Sequence, residues 1–323
     1  MGWLESAFEL VERAQVAVCG DFALDAYWDL DQSCTELSFE TGKAVRRVVA
    51  QRYGLGGAGN VAANARSLGA RGVRAIGLVG DDPFGAELRA QLERFGVDVS
   101  GMVDGGDLWQ SVVYAKPHVS NREQERLDFG AANRLTPALT EALVDQLDRA
   151  AHDCDAVVLN QQIDDGVATG AMIERINEVI ARHPDRVFVV DSRHRATAFR
   201  GAVLKCNAHE AAALCGAAGS DVGACARRLR ECTGQTVFVT CGRDGLLVAD
   251  ESGVHAVAGV DVSAPVDPVG AGDTVVAALA GVLGCGGDAI TAARLANLAA
   301  AVTVQKLGTT GTATPGEIRR LHS

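Results

Sequence analysis

The sequence predicts an α/β protein: a doubly wound, mainly parallel sheet with helices on both faces and a small β-sheet lid. Three observations lead there. Short apolar runs alternate with helical patterns along most of the 323 residues, which is the mark of strand–helix repetition. Those runs are continuously apolar, as strands covered on both faces are. Two polar, mixed segments interrupt the alternation, and each holds enough β-formers to make strands of its own.

The elements follow in order. "VAVC" at 16–19 is the first buried strand, and "GDFALD" after it reads as a loop. Residues 29–53 form the first polar segment, with 46–50 able to pair as a strand. A helix is expected over 58–68, then a strand at 75–79 and a helix at 84–95. Residues 111–115 and 125–129 read as a strand pair around Asn121 and Arg122. A helix at 136–151 leads to "AVVL" at 156–159, a helix at 167–182 to "VFVV" at 187–190. A strand near 203–204 precedes a helix at 221–231, strands at 237–240 and 246–249, and closing helices at 273–283 and 289–306. The chain is expected to be one domain over 1–323, with lid insertions at about 29–54 and 108–129. A lid over a site excludes water, which favours group transfer.

Composition narrows the function. A formal net charge of −11 argues against nonspecific nucleic-acid binding and gives no support for membrane-surface binding. No apolar stretch approaches the ~20 residues that span a bilayer, and the start of the chain lacks the order of a signal peptide. Nine cysteines, an odd number with no C-x-x-C pair, read as free thiols of a cytoplasmic protein.

Ligands of open parallel sheets gather at the carboxyl ends of the strands, so the loops there carry the chemistry. Asp21 and Asp25 can accept hydrogen bonds from substrate hydroxyls, or can cap turns. Gly56 and Gly57 let backbone approach a ligand, and Asn60 stands where a helix starts. The glycine run here does not read as a dinucleotide fingerprint, because it does not immediately follow the first strand. Asn207 and Glu210 lie three apart at another helix start. The spacing favours a capping pair, although a hydrated Mg²⁺ would reconcile Glu210 with phosphates. The strongest stretch is "DPVGAGD" at 267–273. Gly270, Ala271 and Gly272 offer successive amides at a helix N-terminus, a site for a polyanion. An acid among them, Asp273, serves as a base that takes a proton from an attacking alcohol.

"DPVGAGD", with "GGAGNVAANARSLGA" upstream, resembles the two signatures of the ribokinase-like (PfkB-type) sugar kinases. "NAHE" resembles that family's Asn-x-x-Glu magnesium motif, and "VTCGRDGLLV" its strand-turn-strand beside the nucleotide. Within the family, "GDFALDAYW", "RLDFG" and "NLAAAVTVQKLGTTGTAT" are most similar to the kinase half of the bifunctional heptose 7-phosphate kinase/adenylyltransferases. No His-x-Gly-His nucleotidyltransferase motif follows, so the likeness is to the kinase half alone. The heptose kinases carry a lysine after the strand that ends here at Leu159, where this chain has "NQQID".

The resemblance implies a ribokinase-like fold and the use of ATP, Mg²⁺ and, at a monovalent-cation site, K⁺. It implies Asp273 as catalytic base and Gly270, Ala271 and Gly272 as the anion hole. Asn207, Glu210, Gly242, Arg243, Gly245 and Asn297 would surround the nucleotide, with Glu210 reaching Mg²⁺ indirectly. Asp267 and the backbone near Gly308 would hold the monovalent cation. Asp21, Asp25, Gly56, Gly57, Asn60 and Arg126 would hold a sugar or sugar phosphate. Lys116, Arg122, Arg193 and Arg195 are further cations for a phosphorylated substrate. A homodimer through the lid is the expected assembly. The expected activity is ATP-dependent phosphorylation of a sugar or sugar-phosphate hydroxyl. Two alternatives stand beside it: a nucleoside or other small-alcohol kinase of the same fold, and a catalytically silent sugar- or nucleotide-binding regulator.

Overall fold

The computed structural model describes residues 2–120, 122–164, 166–216, 221–263 and 265–322. Asn121, named above at the centre of a strand pair, lies outside them. The strands are β1 (Gln15–Gly20), β2 (Phe22–Leu30), β3 (Val48–Gly57), β4 (Gly72–Val79), β5 (Asp98–Asp104), β6 (Val112–Val119), β7 (Arg122–Glu123), β8 (Leu127–Phe129), β9 (Ala156–Gln161), β10 (Val187–Ser192), β11 (Val203–Asn207), β12 (Val237–Thr240), β13 (Gly245–Asp250) and β14 (Gly253–Ala258). The helices are α1 (Trp3–Arg13), α2 (Ala58–Ser67), α3 (Pro83–Arg94), α4 (Pro137–Asp153), α5 (Gly170–Arg182), α6 (Ala208–Leu214), α7 (Val222–Thr233), α8 (Ala271–Gly284), α9 (Ala289–Thr303) and α10 (Pro315–His322).

The main sheet runs β14-β13-β12-β11-β10-β9-β1-β4-β5. It is parallel except where β13 pairs antiparallel with β12 and β14. Side chains alternate between its two faces, and each face has its own core. Val18, Val158, Val189 and Phe238 pack with α1, α2, α8, α9 and α10. Cys19, Leu159, Val190 and Val239 pack with α4, α5, α6 and α7. From β1 the chain winds outward through β4 to β5, then returns to β9 on the other side of β1. This reversal opens a crevice at the carboxyl ends of β1 and β9, where ligands of such sheets bind.

A second sheet, β3-β2-β6-β7 with β8 also on β6, stands beside that crevice. It includes a strand not expected from sequence. "GDFALD" is no loop: only Asp21 separates β1 from β2, and the chain passes from one sheet into the other there. Two helix boundaries also move. The helix expected from 167 begins at Gly170, because Thr169 caps it by accepting from Met172 N–H. The last long helix stops at Thr303 rather than 306. No helix among the described residues is long and apolar enough to cross a membrane. All nine cysteines are free, with Cys232 exposed.

Candidate active site

The floor of the crevice is a polar row laid by strand register. Gly20, Asn160, Asp191 and Lys205 are neighbours across β1, β9, β10 and β11. They continue the face that carries Val18, Val158 and Val189, so they look toward α8. Lys205 Nζ lies 3.1 Å from each carboxylate oxygen of Asp191, and both side chains are buried. Burial opposes the Lys205 charge, but Asp191, Glu210 and Asp273 together hold its pKa above the ordinary value. A Cβ on Gly272 would come 3.0 Å from Nζ, so the ammonium lies against the first turn of α8.

That turn starts at Gly270, whose φ of 80° is left-handed, and a Cβ there would be 2.7 Å from Asn60 Nδ2. Only glycine meets both demands. The expectation of three free amides needs correction: Ala271 N–H donates to Pro268 O at 3.2 Å. Among the described residues, no partner takes the N–H of Gly270 or Gly272. Asp273 follows on the inner side of the helix. Burial pushes its pKa up to about 7; the hydrogen bond from Asn60 opposes this, Asp191 and Asp25 reinforce it, and Lys205 opposes it.

Several expected substrate contacts are already engaged. Asn60 Nδ2 donates to Asp273 Oδ2 at 2.6 Å. Asp21 accepts the amides of Gln162, Ile163 and Val167 at 2.8–2.9 Å, so its carboxylate anchors the loop after β9. Burial raises its pKa against those three bonds. Asp25 pairs with Lys116 at 2.7 Å. Gly57 serves packing: a Cβ there would come 2.4 Å from Asp21 O, whereas one on Gly56 would make only ordinary contact with Ala23. Arg126 is held by both oxygens of Asp128 at 2.7 Å and lies over the Tyr114 ring.

Register groups the polar side chains of the second sheet on one face. Asp25 aligns with Tyr114, Tyr114 with Asp128, and Tyr27 with Lys116 and Arg52. The charge of Asp25 reaches Asp273, and those of Asp21 and Arg193 reach Tyr114. This face therefore looks onto the crevice.

A cleft of about 560 Å³ lies between α6, α7 and the β12–β13 turn. Asn207, His209, Thr240, Cys241, Gly242 and Leu246 are among its walls. Arg243 and Gly245 belong to the same turn. Gly245 lies in close backbone packing, since a Cβ would come 2.2 Å from Val257 O. Asn297 spends its amide on the carbonyls of Val257 and Ala258, both at 3.0 Å, so it braces α9 against β14. Asn207 and Glu210 form a reciprocal capping box, with both bonds at 2.8 Å. One Glu210 oxygen stays outside that box, and no cluster of three metal-ligating side chains occurs among the described residues. This donor set fits a hydrated ion held largely by phosphates, as Mg²⁺ commonly is. Asp267 accepts from Val269 N–H and Gly308 N–H, both at 3.1 Å, and clamps the turn before α8 to the loop after α9.

Sequence reading missed the Asp191–Lys205 pair, Asn64 and Asn160. A lone lysine in the apolar run "VLKC" and an acid closing "VFVVD" were the available signals, since buried charges are rare unless paired. Asn160 is buried with both amide atoms unpartnered among the described residues.

A ribokinase-like architecture is the class that this fold defines. Phosphofructokinase-2 of Escherichia coli, in complex with potassium, superposes with a TM-score of 0.75 at 20% identity, over 96% of this chain and 98% of that one. Ribokinase of Arabidopsis thaliana, complexed with ribose and ATP, gives 0.73 at 17% identity, over 96% and 98%. The model of the pfkB family carbohydrate kinases matches residues 14–315, and the chain belongs to that family. It is a carbohydrate kinase. The bifunctional protein HldE of Gluconobacter oxydans is 32% identical over 301 residues, 91% of this chain. The chain spans 62% of that relative's length.

Proposed function

We propose that this carbohydrate kinase transfers a phosphoryl group from ATP to a hydroxyl of a sugar or sugar phosphate, with Asp273 as the base. One observation carries the reading: a half-buried carboxylate, its pKa raised to about 7 by desolvation, stands in the first turn of α8, directly behind Gly270 and Gly272. A base works best when its pKa lies near the working pH. The amides of Gly270 and Gly272, with the positive end of α8, would stabilise charge on the transferred group. Lys205 adds a fixed positive charge beside them.

ATP supplies the phosphoryl group when bound, and Mg²⁺ offsets the charge of its phosphates. The cleft beside Asn207, Thr240 and Gly242 fits a nucleoside in size, and it opens next to the start of α6. Glu210 would orient water around the metal. Asp267 would share its carboxylate with a monovalent cation. The polar face of the second sheet would act as a lid, binding sugar hydroxyls and excluding water.

The test is an ADP-release screen over sugars, sugar phosphates and nucleosides with ATP and Mg²⁺, comparing the wild type with Asp273→Asn. On the best substrate the variant should lose ~10²–10⁴-fold in kcat with nucleotide affinity little changed. Near-native turnover by Asp273→Asn would remove the assignment.

A further inference from the structure

A chain of polar side chains runs through the apolar packing of α2, α8 and α9 and ends on Asp273. Asn60, Asn64, Thr274 and Thr303 are each 1% exposed or less. Their neighbours on the same helices are Ala62, Ala63, Val275, Val276, Ala299 and Val302, all part of the apolar core. Alanine or valine would fill these positions more simply, because a buried polar group is costly unless fully bonded.

The bonds have a direction. Thr274 Oγ1 donates to Asn64 Oδ1 at 2.8 Å. Asn64 Nδ2 donates to Asn60 Oδ1 at 3.2 Å and to Asn60 O at 2.9 Å. With its oxygen so engaged, Asn60 must turn its NH₂ outward, and Nδ2 meets Asp273 Oδ2 at 2.6 Å. Thr303 Oγ1 backs Thr274 Oγ1 at 3.2 Å. Thr274 Oγ1 also lies 3.2 Å from Gly270 O, in the turn that carries the free amides. One hydroxyl therefore touches both the anion-binding turn and the relay to the carboxylate.

We infer that Asn64 and Thr274 are positioning residues for phosphoryl transfer, acting through Asn60 to fix the rotamer and proton affinity of Asp273. The inference rests on Asp273 being the base. It takes Asn60 away from the sugar, where its place in "GGAGN" had put it. Besides Asn60, the charges facing Asp273 are Asp191 from β10, Lys205 from β11 and Asp25 from β2. None of them belongs to the relay. Loss of the relay should therefore remove one hydrogen bond from the carboxylate while leaving its electrostatic surroundings in place. Asp273 would then hold its proton more tightly, and its position would loosen.

The experiment compares Thr274→Val, which keeps shape and deletes the hydroxyl, with Thr274→Ser, which restores it, and with Asn60→Ala. Thermal unfolding first establishes that each variant folds. Thr274→Val should lower kcat ~10–100-fold, the scale of a small misplacement of a catalytic group. KM for sugar and nucleotide should stay within about twofold of wild type, and the acid limb of the kcat/KM profile should move to higher pH. Thr274→Ser should recover most of both losses. Asn60→Ala should change kcat and the acid limb in the same direction, which keeps the test alive if Thr274→Val does not fold. A Thr274→Val enzyme with native kcat and pH profile would overturn the inference. So would an Asn60→Ala enzyme that raises only the KM for sugar, since that returns Asn60 to substrate binding. An active Asp273→Asn enzyme would instead overturn the base assignment itself, whatever the relay variants do.

Discussion

Asp273 stands at odds with its own fold. Its pKa is lifted from 3.8 to about 7 in the folded chain, so ionising it costs folding free energy. Because the folded value is the higher one, the favourable contribution is complete below the unfolded pKa. It is lost as pH rises from about 4 through about 7. Asp273→Asn escapes that loss and should be more stable than wild type above pH 7, by as much as about 4 kcal/mol. The gap should close below about pH 4, and denaturant unfolding of both proteins across this range measures it. A variant no more stable at pH 8 than the wild type would show that the carboxylate is not strained by burial. The same group should give wild-type kcat/KM an acid limb with a midpoint near 7. Glu210 makes a different prediction. Its capping bond to Asn207 N–H needs only an oxygen, which glutamine supplies. Glu210→Gln should fold normally yet need several-fold more Mg²⁺ for half-maximal rate, because a charged acceptor beside the metal is gone. Unchanged magnesium dependence would leave Glu210 as a helix cap.

At the scale of elements, legibility followed burial. β1, β9, β10 and β12 are apolar on both faces, and each was visible as an uninterrupted run. β2 was not, because it carries Asp25, Tyr27 and Asp29 on one face and follows β1 after a single residue with no turn signal. The edge strands β5 and β14 escaped because they are half-buried or exposed along most of their length and neither is a continuous apolar run. The start of α8 within "DPVGAGD" and its acid were legible locally, since the signal is seven residues long. The Asp191–Lys205 pair was not, because its partners meet only through the register of β10 and β11. The cations expected to meet a phosphorylated sugar also sort themselves by element. Lys116 of β6 is paired with Asp25, and Arg126, just before β8, is paired with Asp128. Arg193 and Arg195, just past β10, have no ion-pair partner among the described residues, and the Arg193 charge reaches Tyr114 across the crevice. If the substrate carries a phosphate, Arg193 is therefore its best-placed anchor. kcat/KM for a hexose monophosphate should then exceed that for the free hexose by well over tenfold, as a charged hydrogen bond of ~1.5–3 kcal/mol requires. Arg193→Ala should erase the preference. Equal use of the free hexose would return both arginines to a solvated surface.

At the scale of the molecule, the second sheet is exposed in a way the main sheet is not. Its inner face packs Leu24, Ala26, Leu55 and Val113 into the core beside α2. Beyond that packing Val49 is 66% exposed and Val48 and Leu127 about half exposed, and in the β2–β3 connection Phe39 stands at 105% exposure with Leu37 more than half exposed. β3 is also an edge strand of this sheet, with one side of its backbone unpaired by any other strand among the described residues. A free edge next to exposed apolar side chains invites pairing with another chain. A second copy of the same sheet is the partner always present, and a two-fold pairing would cover both patches at once. It would also fix each copy of the crevice-facing surface that carries Asp25, Tyr114 and Lys116. Sedimentation should therefore find twice the 33.6 kDa chain mass at micromolar protein. Phe39→Asp with Val49→Asp should give monomers, since burying two carboxylates in such an interface costs several kcal/mol. If the pairing holds the lid in its working shape, those monomers should fold with an unchanged main sheet yet show a raised KM for sugar and little change for nucleotide, whose cleft is lined by no residue of the second sheet. Specific activity of the wild type should fall on dilution by the same route. A wild type that sediments as a 33.6 kDa monomer at those concentrations, with activity independent of dilution, would leave the patch as ordinary exposed surface.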